Sequence, residues 1–190
     1  MKQIKLLSFL FIAALSFTSC SDDDNPVPPA PTHEEEVITT MRIVLTKDGT
    51  TETVTIESKD ADGDGPNPPV ITDGTLSANT KYNAVITLWN ELEDPADDIT
   101  KEIKEEADEH QFFYSAQKLS STFAYAGDND SKGNPVGLEF TVNTGTAGVG
   151  TYTVILRHEP NKTAAGVKDG DITNADGETD IEVVFPITIQ

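Results

Sequence analysis

From residue 36 onward, apolar and polar residues alternate with period two. That is the signature of strands with one buried and one wetted face. Residues 36–46 alternate around Val37, Ile43 and Leu45, and residues 51–57 supply Val54 and Ile56. Between them, Lys47-Asp48-Gly49-Thr50 has the composition of a hairpin turn. In 81–90, Tyr82, Ala84, Ile86 and Leu88 fall on one face; in 151–158, Tyr152, Val154, Leu156 and His158 do the same. Shorter alternating runs cover 111–117, 121–126 and 136–143, and a last one closes the chain at 180–190. Pro186 in that run predicts an edge position or a bulge, because proline cannot donate to a ladder. One stretch breaks the period. In 98–108, Ile99, Ile103 and Ala107 recur at helical spacing, with Asp97 or Asp98 placed as N-cap. About seven to nine strands punctuated by Gly, Asn, Asp and Pro predict a mainly β domain over 36–190. The expected architecture is an antiparallel β-sandwich, immunoglobulin-like or related, with one short helix.

The first 35 residues follow other rules. Residues 1–19 carry Lys2 and Lys5 ahead of a short apolar run, as a signal peptide does. The run is too short to cross a hydrocarbon layer of about 30 Å as a permanent helix. Cys20, the only cysteine, follows directly. The arrangement resembles the lipobox of bacterial lipoproteins, in which that cysteine is lipidated and becomes the mature N-terminus; Phe17 stands where leucine is usual. Stable anchoring takes more than one acyl chain, and a lipidated cysteine supplies several. Residues 20–35 then form an acidic, proline-rich tether, an extended spacer. The expectation is an outer-membrane or cell-surface lipoprotein, held to the membrane by its lipid and working with an outer-membrane protein partner.

Charge narrows the partners. With 33 acidic and 13 basic residues the chain carries a net charge of −20. Such a surface repels nucleic acid, which binds through basic side chains, and attracts cations and basic surfaces. Two cation sites are candidates. Asp60, Asp62 and Asp64 alternate ahead of Gly65, a spacing that lets carboxylates converge on Ca²⁺. The closing glutamate of an EF-hand is absent, with Ile71 in its place. The second candidate is a transition-metal site such as Zn²⁺ at His110 and His158, with Glu109 and Glu159 beside them. Each histidine continues the apolar face of its strand, which predicts that the two meet at a rim of the sandwich. His33 lies in the tether beside three glutamates. Phe112 and Phe113 must point to opposite faces of their strand. One therefore belongs to the core and the other to solvent, a partner or a covering loop.

Enzyme motifs are missing. The sole cysteine is assigned to lipid, and neither a G-x-S-x-G elbow nor a phosphate-binding glycine loop occurs. The segments SCSDDD, EEEVITT, DGDGPNPP, NELEDPADDIT, DEHQFFY and LRHEPNKTAAGVKDGDITNADG together resemble a group of short flavobacterial (Bacteroidetes) surface lipoproteins. These are often labelled type 1 periplasmic binding fold superfamily proteins. The resemblance implies a cell-surface address, and the label implies two α/β lobes where the residue pattern predicts a sandwich. It implies no activity. The leading expectation is a non-enzymatic binding module that holds divalent metal. The alternatives are a structural or adhesive sandwich with calcium-rigidified loops, and a carbohydrate-binding accessory protein.

Overall fold

The computed structural model describes residues 36–63 and 65–190. Cys20, the expected signal peptide, the expected tether with His33, and Asp64 lie outside the described residues. The described residues form ten strands and one α-helix: β1 (Thr40–Lys47), β2 (Thr53–Lys59), β3 (Val70–Ile71), β4 (Gly74–Leu76), β5 (Lys81–Trp89), α1 (Ile99–Glu105), β6 (His110–Gln117), β7 (Thr122–Tyr125), β8 (Glu139–Asn143), β9 (Gly148–His158) and β10 (Glu178–Ile189). They build two open sheets. The larger runs β3-β2-β1-β5-β8-β7 and is antiparallel throughout. The smaller runs β4-β10-β9-β6 and is mixed, because β4 lies parallel to β10. The domain is mainly β, as the alternation predicts, and it contains no alternating α/β lobes among the described residues.

One core lies between the sheets. Met41, Ile43, Leu45, Tyr82, Ala84, Ile86, Leu88, Phe140 and Val142 come from the larger sheet. Phe112, Tyr152, Val154, Leu156, Val183, Phe185, Ile187 and Ile189 come from the smaller one. These are the alternate residues of their strands, so period two in sequence becomes one buried face in each sheet. The turn at Lys47–Thr50 forms as expected: Thr50 N donates to the Lys47 carbonyl (3.0 Å), and Gly49 takes φ +72°. The helix is shorter than its pattern. Ile99 and Ile103 are buried, and Thr100 Oγ1 accepts from Leu88 N (2.8 Å) and donates to Leu88 O (3.1 Å), which docks α1 on β5. Asp98 sits at the N-cap without a side-chain capping bond.

Two departures from the pattern position the site. Residues 36–39 are not strand. They form an irregular lead-in, held where Thr39 N donates to the Trp89 carbonyl (3.0 Å). The connection from β9 to β10 is also long enough to fold over the outer face of the smaller sheet. There Phe113 packs with Val167 and Ala175 in a second small core. Phe112 therefore belongs to the main core and Phe113 to the one beneath this loop, so neither faces solvent.

Candidate metal centre

His110 begins β6 and His158 ends β9, and the antiparallel register puts them directly opposite each other. Two residues further in, Phe112 faces Leu156 in the core, so both imidazoles share that inward face. Both are buried, and the rings stack at 4.8 Å between centroids and 25° between planes. The expected meeting of the two histidines at one end of the intersheet core is what the fold produces.

Two carboxylates complete the group. On β10, Ile181, Val183, Phe185, Ile187 and Ile189 point toward the core, and by that phase residue 180 should point away. It does not. Thr179 pairs with Arg157 and Ile181 with Leu156, which leaves Asp180 as an extra residue in the ladder. Such a bulge re-aims a side chain, and the Asp180 side chain ends up only 2% exposed beside the histidines. Glu36 arrives from the irregular lead-in, its side chain 5% exposed.

The distances suit a small cation. His110 Nε2 lies 3.0 Å from Glu36 Oε1 and 3.8 Å from Asp180 Oδ2, and His158 Nδ1 lies 3.7 Å from Asp180 Oδ1. One ligand atom from each of the four residues lies within 4.8 Å of the others. Donors placed tetrahedrally around zinc at its usual bond lengths are about 3.3 Å apart, and the observed separations straddle that value.

Protonation sharpens the argument. His110 Nδ1 lies 3.1 Å from the Glu106 carbonyl oxygen. A carbonyl only accepts, so Nδ1 carries the proton and donates. In the neutral ring, Nε2 then turns a lone pair toward the Glu36 carboxylate, and two acceptors repel. A cation must lie between them, either a second ring proton or a metal. A histidine that ligates a metal commonly donates its other ring N–H to a backbone carbonyl in this way, which fixes the ring and its tautomer. Without metal, burial pushes His110 down, but its hydrogen bond to Glu36, that carboxylate's charge and the Glu106 carbonyl outweigh it, and the ring is held above its ordinary value. Burial pushes Glu36 up, yet the bond to His110 and the charges of both imidazoles hold the carboxyl below its ordinary value. Glu36 Oε2 is buried with no hydrogen-bond partner among the described residues.

A shallower group adjoins this one. Glu109 Oε2 lies 3.9 Å from His158 Nε2, and Glu109, His158 and Glu159 also bring their ligand atoms together. Glu159 N donates to the Glu109 carbonyl (2.6 Å), which binds the ends of β6 and β9. The residues after the long loop come close as well. A Cβ at Gly177 would fall 2.2 Å from the His158 carbonyl oxygen, and Gly177 has φ +70°, so only glycine fits there.

The predicted residues thus divide. His110 and His158 form the centre; Glu109 and Glu159 flank His158 on its outer side. Glu36 and Asp180 escape the sequence pattern. Glu36 is the last of a glutamate run that looks like tether, and Asp180 turns inward only through the bulge. Asp60 and Asp62 serve their own loop: Asp60 Oδ1 accepts from Asp62 N (3.2 Å), and Asp62 Oδ2 accepts from Asn67 Nδ2 (2.7 Å).

No family model, curated protein or solved structure matches the chain. Among the described residues no helix is long and apolar enough to cross a membrane.

Proposed function

We propose that this chain is a lipid-anchored binding protein of the cell envelope, fixed to the outer membrane through Cys20. Its domain holds one divalent transition-metal ion, best fitted by Zn²⁺, between Glu36, His110, His158 and Asp180. It delivers or presents that ion without chemical turnover, in company with an outer-membrane protein. The observation that carries the metal reading is the convergence of two imidazoles and two carboxylates from four separate segments in a buried space. Burying two carboxylates is costly unless cations meet them, and an N₂O₂ donor set suits zinc and its neighbours better than calcium, which takes oxygen ligands.

Isothermal titration calorimetry of the full mature chain with Zn²⁺, Cu²⁺ and Ca²⁺ tests this reading. One Zn²⁺ per chain at micromolar affinity or tighter is expected, with the affinity lost in His110→Ala and unaffected in Asp62→Asn. Binding no tighter than millimolar, or equal binding by His110→Ala, removes the metal from the account. The lipid is tested separately, by mass spectrometry of the native protein: an unmodified thiol at Cys20 refutes the anchor.

A further inference from the structure

Strand β10 is paired along one edge by β9 over its whole length. On its other edge, β4 pairs only with Ile187, Thr188 and Ile189. Among the described residues no strand covers that edge before Ile187. The reason is local. The chain runs from β3, at the edge of the larger sheet, into β4, at the edge of the smaller one. The strand position in line with β4 is therefore left vacant beside the first half of β10. A groove of about 420 Å³ occupies this place. Its walls are residues 178–184 of β10 on one side, and Val37, Ser58, Asp60 and Ile71 on the other.

An open edge offers unpaired backbone donors and acceptors to any extended chain. The bulge at Asp180 and the missing N–H of Pro186 bound the regular stretch to Ile181–Phe185. The lining decides what fits there. It includes Glu36, Asp60, Glu178, Asp180 and Glu182, and no lysine, arginine or histidine. Glu36 and Asp180 are turned to the imidazoles, which leaves Asp60, Glu178 and Glu182 toward the groove. Val37 and Val184, 51% and 44% exposed, add apolar contacts from its two sides. A second copy of this chain, with its net charge of −20, is repelled. So is its own acidic tether.

We propose that the free edge of β10 from Ile181 to Phe185 takes an extended segment of a partner protein as an added strand, one that alternates basic and apolar residues. Backbone pairing supplies the contact, the Glu182 carboxylate on the outer face selects lysine or arginine, and the intervening residues, which fall on the inner face beside Ile181, are selected as apolar. The site adjoins the metal centre but does not depend on an ion being there.

The probe is a seven-residue peptide alternating lysine and valine, with a glutamate–valine peptide as its counterpart. Each is titrated into the full mature chain with and without Zn²⁺, while amide hydrogen exchange is followed by mass spectrometry. The lysine peptide is expected to bind at micromolar affinity and to slow exchange in residues 181–185 at least tenfold. Glu182→Lys, an exposed change on the proposed edge, is expected to weaken it at least tenfold and to leave zinc binding unchanged. Absence of binding overturns the proposal. Binding that leaves exchange in 181–185 unaltered, or that Glu182→Lys does not weaken, also overturns it, since a basic peptide then only decorates an acidic surface. Peptide binding and zinc binding are read separately, so failure of the docking edge leaves the metal centre untouched and failure of the metal centre leaves the docking edge untouched.

Discussion

Lys162 is the one lysine buried in the domain among the described residues, and replacing it with methionine isolates what a buried cation contributes here. Its ammonium donates to the Ala107 carbonyl (2.6 Å) and the Pro135 carbonyl (3.3 Å), and lies 3.4 Å from Asp130 Oδ2. It thus ties the long β9–β10 connection to the approach to β6 and to the loop before β8. Methionine keeps the aliphatic stem and removes all three contacts. A hydrogen bond from a charged donor contributes about 1.5–3 kcal/mol, and breaking a buried pair from one side costs about 3–5 kcal/mol. Two features lower the sum. Asp130 keeps three other donors, Lys132 N, Asn134 N and Asn134 Nδ2, so its carboxylate is not stranded. Burial also holds the lysine below its ordinary pKa despite the attraction of Asp130, so removing the charge recovers part of the cost of burying it. The expected loss for Lys162→Met is about 2–4 kcal/mol, or roughly 6–12 °C in Tm for a domain of this size. Urea unfolding of wild type and variant, read by the fluorescence of Trp89, measures it. A loss under about 1 kcal/mol would refute the reasoning, because it would place the ammonium in water rather than among its three partners.

Two further outcomes follow from the same contacts. Gly177→Ala should destabilise the domain by about 2–3 kcal/mol through backbone strain and the clash with the His158 carbonyl, and should weaken zinc binding; circular dichroism melting and zinc titration together check it, and an unchanged affinity would separate Gly177 from the metal centre. Burial pushes Asp130 up, but hydrogen bonds from Asn134 and Lys132 and the Lys162 charge outweigh it, so its carboxyl is held below the ordinary range. A depressed carboxyl contributes stability that is complete above its unfolded value near 4 and is lost as pH falls through the folded one. Asp130→Asn should therefore flatten the acid limb of stability below about pH 4 in a pH series of urea midpoints, and an unchanged limb would assign acid unfolding to other groups.

The fold was legible because half-buried strands write their geometry directly into the chain. Tyr82, Ala84, Ile86 and Leu88 alternate in sequence and are all buried in β5. The histidine pair was legible for the same reason: each imidazole extends an apolar face whose register the strands then fix. β3 and β4 left no pattern, because strands of two and three residues are too short to alternate. Phe113 was ambiguous, since the loop that covers it is distant in sequence and carries no periodicity. Glu36 and Asp180 were hidden more deeply. Glu36 acquires its role from where the lead-in to β1 crosses the sandwich. Asp180 acquires its role from one supernumerary residue in a ladder, and nothing in a list of alternating residues marks which position will be supernumerary.

That supernumerary residue makes the centre separable from the scaffold. Deleting Thr179 or Asp180 would restore an unbroken alternation in β10, leave Ile181 through Ile189 in their places, and remove a carboxylate from beside the imidazoles. A one-residue deletion at this point is therefore expected to take the carboxylate away from the imidazoles while the rest of β10 keeps its pairing with β9.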